Sequence, residues 1–309
     1  MIYFNRPEIY ALLAAVANGT IGPLNRFAFN AGAGYQEVAF IKCFGSFIVL
    51  LFYCSLKSNL RSDLVALKSR CFIYIILSFL GVFCLYFFET WAFKEASIPV
   101  VSFLVYASGI FTIVLSVFFL KESVTKLKIF AFISIIIGVF IIILSKDILS
   151  GTFFGMLLAL MAGLGYSLFI FFTKFFNVTS SLASLVWLFG FGSVFLSIPI
   201  IFSNEFNFPL VAIFPTIGLI AIPTIAGFWF TIKAVSKGSA SSVQIIETTD
   251  PLFATLFAII LFNEIITNTV WLGAFFIVCG LLISLKRIED KTYYESTKNK
   301  SRILPRGEA

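Results

Sequence analysis

Five long stretches of this chain contain no Asp, Glu, Lys or Arg at all: 96–120, 148–173, 175–204, 206–232 and 265–285. A helix needs roughly 20 apolar residues to cross the hydrocarbon of a bilayer. Inside that hydrocarbon every backbone N–H and C=O must be satisfied within the segment itself. Runs this long restrict the fold to an all-α membrane protein. Composition agrees: 60% of the 309 residues are hydrophobic, 12% are charged, and mean hydropathy is +1.04. A soluble domain is about half apolar and a quarter charged. The 41 Phe also exclude intrinsic disorder.

Turn signals divide the rest, giving ten transmembrane helices at about 8–28, 36–56, 71–93, 98–120, 127–145, 151–174, 182–202, 211–235, 240–262 and 269–287. Only Arg6 precedes the first run and nine spans follow it, so it reads as a retained helix rather than a signal peptide. The net charge of +7 is placed in loops, not on a nucleic-acid face, and no nucleic-acid partner is expected. Lys57, Arg61, Lys68 and Arg70 follow span two, Lys121, Lys126 and Lys128 follow span four, and Lys174 and Lys237 follow spans six and eight. Seven of the 22 basic residues lie after Leu285. The opposite loops hold only Arg26, Lys94 and Lys146. Basic loops stay in the cytoplasm, which puts both termini there, in a bacterial inner membrane.

Shifting the second half back by 142 superposes local patterns of the two halves. Ala234–Ser239 falls on Ala92–Ser97, Pro251-Leu252-Phe253 on Gly109-Ile110-Phe111, and Leu261-Phe262-Asn263-Glu264 on Phe119-Leu120-Lys121-Glu122. Gly280 falls on Gly138, and with a shift of 144 Gly163 falls on Gly19. Five spans per unit is an odd number, so the second unit enters the membrane from the other side. The expectation is two inverted five-helix repeats, residues 1–147 and 148–288, with a disordered cytoplasmic tail over 289–309. Transporters built this way place substrate near the midplane, between the repeats.

With these duplicated segments the chain resembles the drug/metabolite transporter superfamily, in particular its ten-helix EamA-type bacterial permeases. The resemblance spans about residues 8–287. It implies a central cavity lined chiefly by spans one, three, four, six, eight and nine, and ATP-independent transport of small metabolites. The sequence departs from the family pattern at Gly109, where proline is usual, and at Lys42, where arginine is common.

Ionisable groups inside spans are costly and mark function by default. Glu247 and Asp250 lie one turn apart on span nine, with Gln244 continuing their face. Pro251 removes a backbone bond and frees the Glu247 carbonyl. Glu247, Asp250 and Lys42 are the candidates for proton coupling or cation binding. An alternative has one of the acids pair with Lys233 or Lys237. Glu89 stands, like Lys42, in the outer half of its span and is positioned to pair with it. Asn18 sits mid-span beside Gly19 and Thr20, ahead of Pro23. Tyr86, Tyr106, Tyr166 and Trp229 carry polar handles in apolar spans and suit aromatic or cationic amphiphilic solutes. The candidate substrate-binding set is Asn18, Tyr86, Glu89, Tyr106, Trp229 and Gln244. Lys233 reads as snorkelling to the surface. Gly151-x-x-x-Gly155 reads as a close helix contact.

With no histidine in the sequence, His metal sites, Ser-His-Asp triads and HExxH sites are excluded. The five cysteines form no CxxC and read as buried apolar residues. No metal, cofactor or catalytic residue is expected, and no enzymatic activity. The reading is a secondary transporter working by alternating access, most commonly exporting amino acids or related compounds. Import of a nucleotide-like or cofactor-like metabolite, or a non-transporting scaffold, are the alternatives. Partners are a small-molecule substrate, the lipid bilayer, a coupling proton or cation and, through apolar spans five and ten, a second protomer.

Overall fold

The computed structural model describes residues 6–123, 125–143, 152–203, 206, 208–262, 268–269, 271–273, 275–280 and 282–283. Every regular element among them is a helix. Seven helical stretches are long and apolar enough to cross a membrane: Tyr35–Leu56, Ser58–Glu95, Ile98–Phe119, Phe153–Phe175, Leu182–Ser203, Leu210–Lys237 and Ala240–Phe262. A chain with this many such helices is a multi-pass membrane protein. Its outer surface fits that solvent: Phe118, Phe202 and Phe214 are 74%, 83% and 85% exposed. The expected tail, Lys146, Asp147, Gly151 and Glu264 lie outside the described residues.

The first expected span is broken into α1 (Pro7–Asn18) and α2 (Ile21–Asn30) around Gly19 and Thr20. Pro23 has no N–H to offer and its ring crowds the Gly19 carbonyl, so the helix restarts there. α3 (Tyr35–Leu56) follows. The basic segment expected as a loop is instead helical, as α4 (Ser58–Leu67) and a 3-10 turn, Lys68–Arg70. Neither Gly nor Pro interrupts it, and α4 folds back against α3 and α11 (Leu182–Ser203).

α5 (Cys71–Ser78) runs through a π-helical turn, Phe79–Cys84, into α6 (Leu85–Glu95). The equivalent stretch of the second half repeats this arrangement. There α12 (Ile213–Leu219) passes through the π-helical Ile220–Gly227 into α13 (Phe228–Lys237). π turns inside α-helices concentrate at functional sites. Both lie just before residues that form the interior described below.

Breaks are also repeated. α7 (Ile98–Ala107) and α8 (Ile110–Phe119) are separated at Ser108 and Gly109. α14 (Ala240–Glu247) and α15 (Asp250–Phe262) are separated at Thr248 and Thr249. The first break forms without the proline that accompanies the second. Gly109 is bare for a packing reason: a Cβ there would stand 2.7 Å from Cγ of Gln244.

α9 (Lys126–Ile143) and the helix Trp271–Gly280 meet through residues at equivalent places. A side chain at Gly138 would collide with Gly273 O at 2.5 Å, and one at Gly280 with Ala131 O at 2.6 Å. Ser134 donates to Phe276 O at 2.8 Å. Shifted by 142, Ala131 becomes Gly273, Ser134 becomes Phe276 and Gly138 becomes Gly280. The contact is therefore reciprocal, and rising numbers in one helix meet falling numbers in the other, so the two cross antiparallel.

α10 (Phe153–Phe175) packs along α6 and α7, and α1 packs along α13 and α14. Gly155 admits the close approach expected of it, since a Cβ there would lie 2.8 Å from the Glu95 Cβ. These helices surround the interior that holds the candidate site.

Candidate functional site

The break between α14 and α15 falls between Glu247 and Asp250. Two hydroxyls cover carbonyls of the last turn of α14: Thr248 Oγ1 donates to Gln244 O at 2.8 Å and Thr249 Oγ1 to Ile246 O at 2.7 Å. Glu247 is fully buried. Its Oε2 accepts from the Tyr166 hydroxyl of α10 at 2.7 Å, and its Oε1 from Thr231 Oγ1 of α13 at 2.8 Å. Tyr166 Oη and Thr231 Oγ1 are themselves 3.2 Å apart, which closes a three-membered polar ring. The carboxylate of Glu247 thus turns inward to neutral donors rather than outward to Lys233 or Lys237.

Asp250 is also buried, and its Oδ2 has no hydrogen-bond partner. It lies within electrostatic range of both Glu89 and Glu247. Tyr106 of α7 is buried beside it, its ring 5.9 Å from that of Tyr166 in an edge-on arrangement. Gln244 lies one turn before Glu247 on the same face. Its Oε1 accepts from Thr112 Oγ1 at 3.0 Å, while its Nε2 is buried and unpartnered. Thr112 and Ser167 stitch the wall behind it: the one Thr112 hydroxyl proton is shared between Gln244 Oε1 and Ser167 O, the latter at 2.8 Å, and Ser167 Oγ donates to Ser108 O at 2.8 Å.

The first half contributes Lys42 and Glu89, both buried. The expected direct pair does not form. The Lys42 ammonium donates to Thr90 Oγ1 at 3.0 Å and sits 4.1 Å from the centre of the Tyr86 ring. Glu89 acts on it electrostatically without a direct contact, and Glu89 Oε2 has no hydrogen-bond partner. Neighbouring residues on a helix point about 100° apart, so a lysine aimed at Thr90 is aimed away from the carboxylate of Glu89.

Phe228 joins the two halves. Its ring lies 5.5 Å from Tyr86, 5.4 Å from Phe169 and 5.5 Å from Phe189. Tyr86 and Phe228 are related by the same offset of 142, so each touches its own counterpart. Lys42 and Phe189 are the eighth residues of the 22-residue helices α3 and α11. The cation over Tyr86 in one half thus has an aromatic ring against Phe228 in the other. The two halves share a backbone frame but differ in polarity.

Not every expected site residue joins this interior. Asn18 is buried at the end of α1, against Gly227 just ahead of α13, where a Cβ would lie 2.5 Å from Asn18 Oδ1. Trp229 turns away from the aromatic interior and carries the Lys233 ammonium 4.1 Å above its ring centre. Tyr10 holds the same ammonium at 4.5 Å. Lys233 is therefore half-buried against two rings rather than snorkelling freely. Thr90, Thr112, Ser167, Phe228 and Thr231 were not legible as site residues. Only the offset of 142 from Glu89 to Thr231 and from Tyr86 to Phe228 carried a signal.

Among the described residues no group of three Cys, Asp or Glu side chains is arranged to hold a metal ion. The arrangement can hold or exchange protons, or receive a cation. It sets Lys42 against the buried carboxylates of Glu89, Glu247 and Asp250 and a row of hydroxyl donors. No curated protein matches the chain. A solved structure titled "Crystal structure of protein" is similar in fold, with a TM-score of 0.68 and 13% sequence identity, covering 90% of this chain and 96% of that one. The family model described as the EamA-like transporter family matches residues 5–144 and again residues 153–286. The chain therefore belongs to the EamA-like transporter family.

Proposed function

We propose that this protein is a secondary active carrier of small metabolites that works by alternating access. The reading has ten spans in two inverted five-helix repeats, residues 1–147 and 148–288, followed by a cytoplasmic tail, 289–309. It sits in a bacterial inner membrane with both termini in the cytoplasm. The antiparallel, reciprocal contact of α9 with Trp271–Gly280, the paired π turns and the paired helix breaks support the inverted repeat. Repeats of this kind rock against each other around a fixed central site. The observation that carries the function is the buried polar interior at that junction, where Glu89, Glu247 and Asp250 outnumber Lys42.

Glu247 and Asp250 are the coupling or cation-binding groups, and Lys42 sets the charge they work against. Two unpartnered carboxylate oxygens, Glu89 Oε2 and Asp250 Oδ2, are the acceptors open to a proton or a substrate ammonium. Gln244, Tyr86 and Tyr106 line the substrate position, with Asn18 and Trp229 at its approaches. A cation there is held by carboxylates and aromatic faces together. Solutes carrying an amino group, amino acids among them, are the cargo, and export is the direction. The apolar outer face of α9, with Phe130 and Phe140 exposed, also suits a homodimer.

Flux into proteoliposomes containing only this protein tests the reading. A pH gradient drives amino-acid flux through the wild type, and Glu247→Gln with Asp250→Asn abolishes the pH dependence. Wild-type pH dependence in that double variant refutes the coupling role. Absence of flux for every amino acid and amine tried refutes the assigned cargo.

A further inference from the structure

Outside the polar interior, a lateral groove of about 810 Å³ runs between α3, α11 and α4. Its floor is apolar and aromatic, with Phe40, Phe47 and Leu51 on one side and Trp187 and Val194 on the other. Val194 is 62% exposed, so the groove opens sideways toward lipid. From Phe40 to Leu51 it follows eleven helical steps, about 16 Å at 1.5 Å per residue. That length matches one leaflet of hydrocarbon, about 15 Å.

One end of the groove is different. Lys68 lines it there, on the turn that follows α4. The segment 57–70 carries Lys57, Arg61, Lys68 and Arg70 against a single acid, Asp63. Two of these five charges are already engaged: Arg70 donates to Phe176 O, and Asp63 accepts from Ser181 Oγ at 3.0 Å. Among the described residues, the side chains of Lys57, Arg61 and Lys68 form no hydrogen bond or ion pair. α4 is held in place over the groove by the Trp187 indole, which donates to Leu64 O at 3.1 Å. An acyl-sized slot thus ends at the Lys68 ammonium, on a segment where four basic residues stand against one acid.

We propose that this groove is a binding site for one anionic phospholipid, its acyl chain between α3 and α11 and its phosphate at Lys68. Basic clusters at a membrane surface recognise anionic headgroups electrostatically, and the groove adds a defined place for the chain. Occupancy ties α4 to α3 and α11, and so stabilises the folded protein in proportion to lipid concentration.

The test is the thermal stability of the full chain in neutral detergent, titrated with dioleoyl phosphatidylglycerol, dioleoyl phosphatidylcholine or glycerol 3-phosphate. Phosphatidylglycerol raises the midpoint saturably, while phosphatidylcholine and glycerol 3-phosphate leave it unchanged. In Lys68→Gln the half-saturating concentration of phosphatidylglycerol rises about fivefold, the factor for one lysine at an anionic surface. Val194→Trp, which fills the slot at an exposed position, loses the saturable response while its lipid-free midpoint stays at the wild-type value. Equal stabilisation by phosphatidylcholine overturns the proposal, as does an unchanged titration in Lys68→Gln. A shift with glycerol 3-phosphate alone assigns the cations to a free phosphate and overturns it too. Cross-linking of Val194→Cys into a dimer in lipid-free detergent gives the groove to a second copy and overturns the lipid assignment.

Discussion

Glu122 closes α8 onto the start of α14, and its removal has a calculable cost. Lys121 adopts φ 53°, the left-handed conformation that ends helices, and turns Glu122 across the gap. The carboxylate then accepts three hydrogen bonds: Oε1 from Ala240 N at 2.8 Å, and Oε2 from Ser241 N at 3.0 Å and Ser241 Oγ at 2.6 Å. Two of the donors are first-turn N–H groups with no partner inside their own helix. A hydrogen bond to a charged group contributes about 1.5–3 kcal/mol when buried. Glu122 is only half-buried, which brings each bond nearer the typical capping value of about 1 kcal/mol. Glu122→Ala is therefore expected to lower stability by about 3 kcal/mol, or about 5 °C in Tm for a chain of this size. Ser241→Ala removes a single donor and should lower stability by about 1 kcal/mol. Because both act on one carboxylate, the double variant should lose less than the sum of the two. Thermal unfolding of the four proteins in one detergent measures this. A Glu122→Ala midpoint within about 1 °C of wild type, or strict additivity with Ser241→Ala, refutes the latch.

Three further outcomes follow from the same geometry. Phe228→Ala empties the contact between Tyr86, Phe169 and Phe189 and should lower unfolding stability by about 3–5 kcal/mol; a loss below about 1 kcal/mol means the ring is not packed as described. Gly138→Val and Gly280→Val should each lower stability by about 2 kcal/mol, since both force apart the same helix pair, and unequal effects measured in one unfolding series count against the reciprocal contact. Tyr166→Phe leaves Glu247 with Thr231 as its one remaining donor among the described residues; stability should fall by about 1.5 kcal/mol, with reduced flux in proteoliposomes, and a variant indistinguishable from wild type in both assays removes Tyr166 from the site.

Much of this protein is legible in one dimension because the bilayer leaves so few choices. Uncharged runs longer than about 20 residues have to become helices. Proline at 251 has to disturb the helix one turn earlier, and the structure breaks there, between Glu247 and Asp250. The constant offset between Ala92–Ser97 and Ala234–Ser239 reports a duplicated frame, and the π turns and breaks recur at matching places in it. Burial of Lys42, Glu89, Gln244, Glu247 and Asp250 was equally readable, since a charge or amide in an apolar span has to avoid lipid.

Which groups meet was not readable, and the reason is rotational. Each residue turns a helix by about 100°, so a small rotation decides whether Lys42 finds Glu89 or, as observed, Thr90 and the Tyr86 ring. Thr231 looks like an ordinary span residue in sequence, and Tyr166 stands out only by its hydroxyl; the two become the donors to Glu247 only because α10 and α13 cross at its level. Trp229 and Phe228 are adjacent in sequence, yet one faces Lys233 and the other the aromatic interior. Even the missing proline at Gly109 is explained by a distant residue of the other half, because the Gln244 side chain occupies the space of its Cβ. Membrane class, duplicated frame and helix breaks follow from composition and local backbone chemistry, and so can be read along the chain. The hydrogen-bond partners of the buried charges come from packing in three dimensions, because they depend on how separate helices rotate and cross.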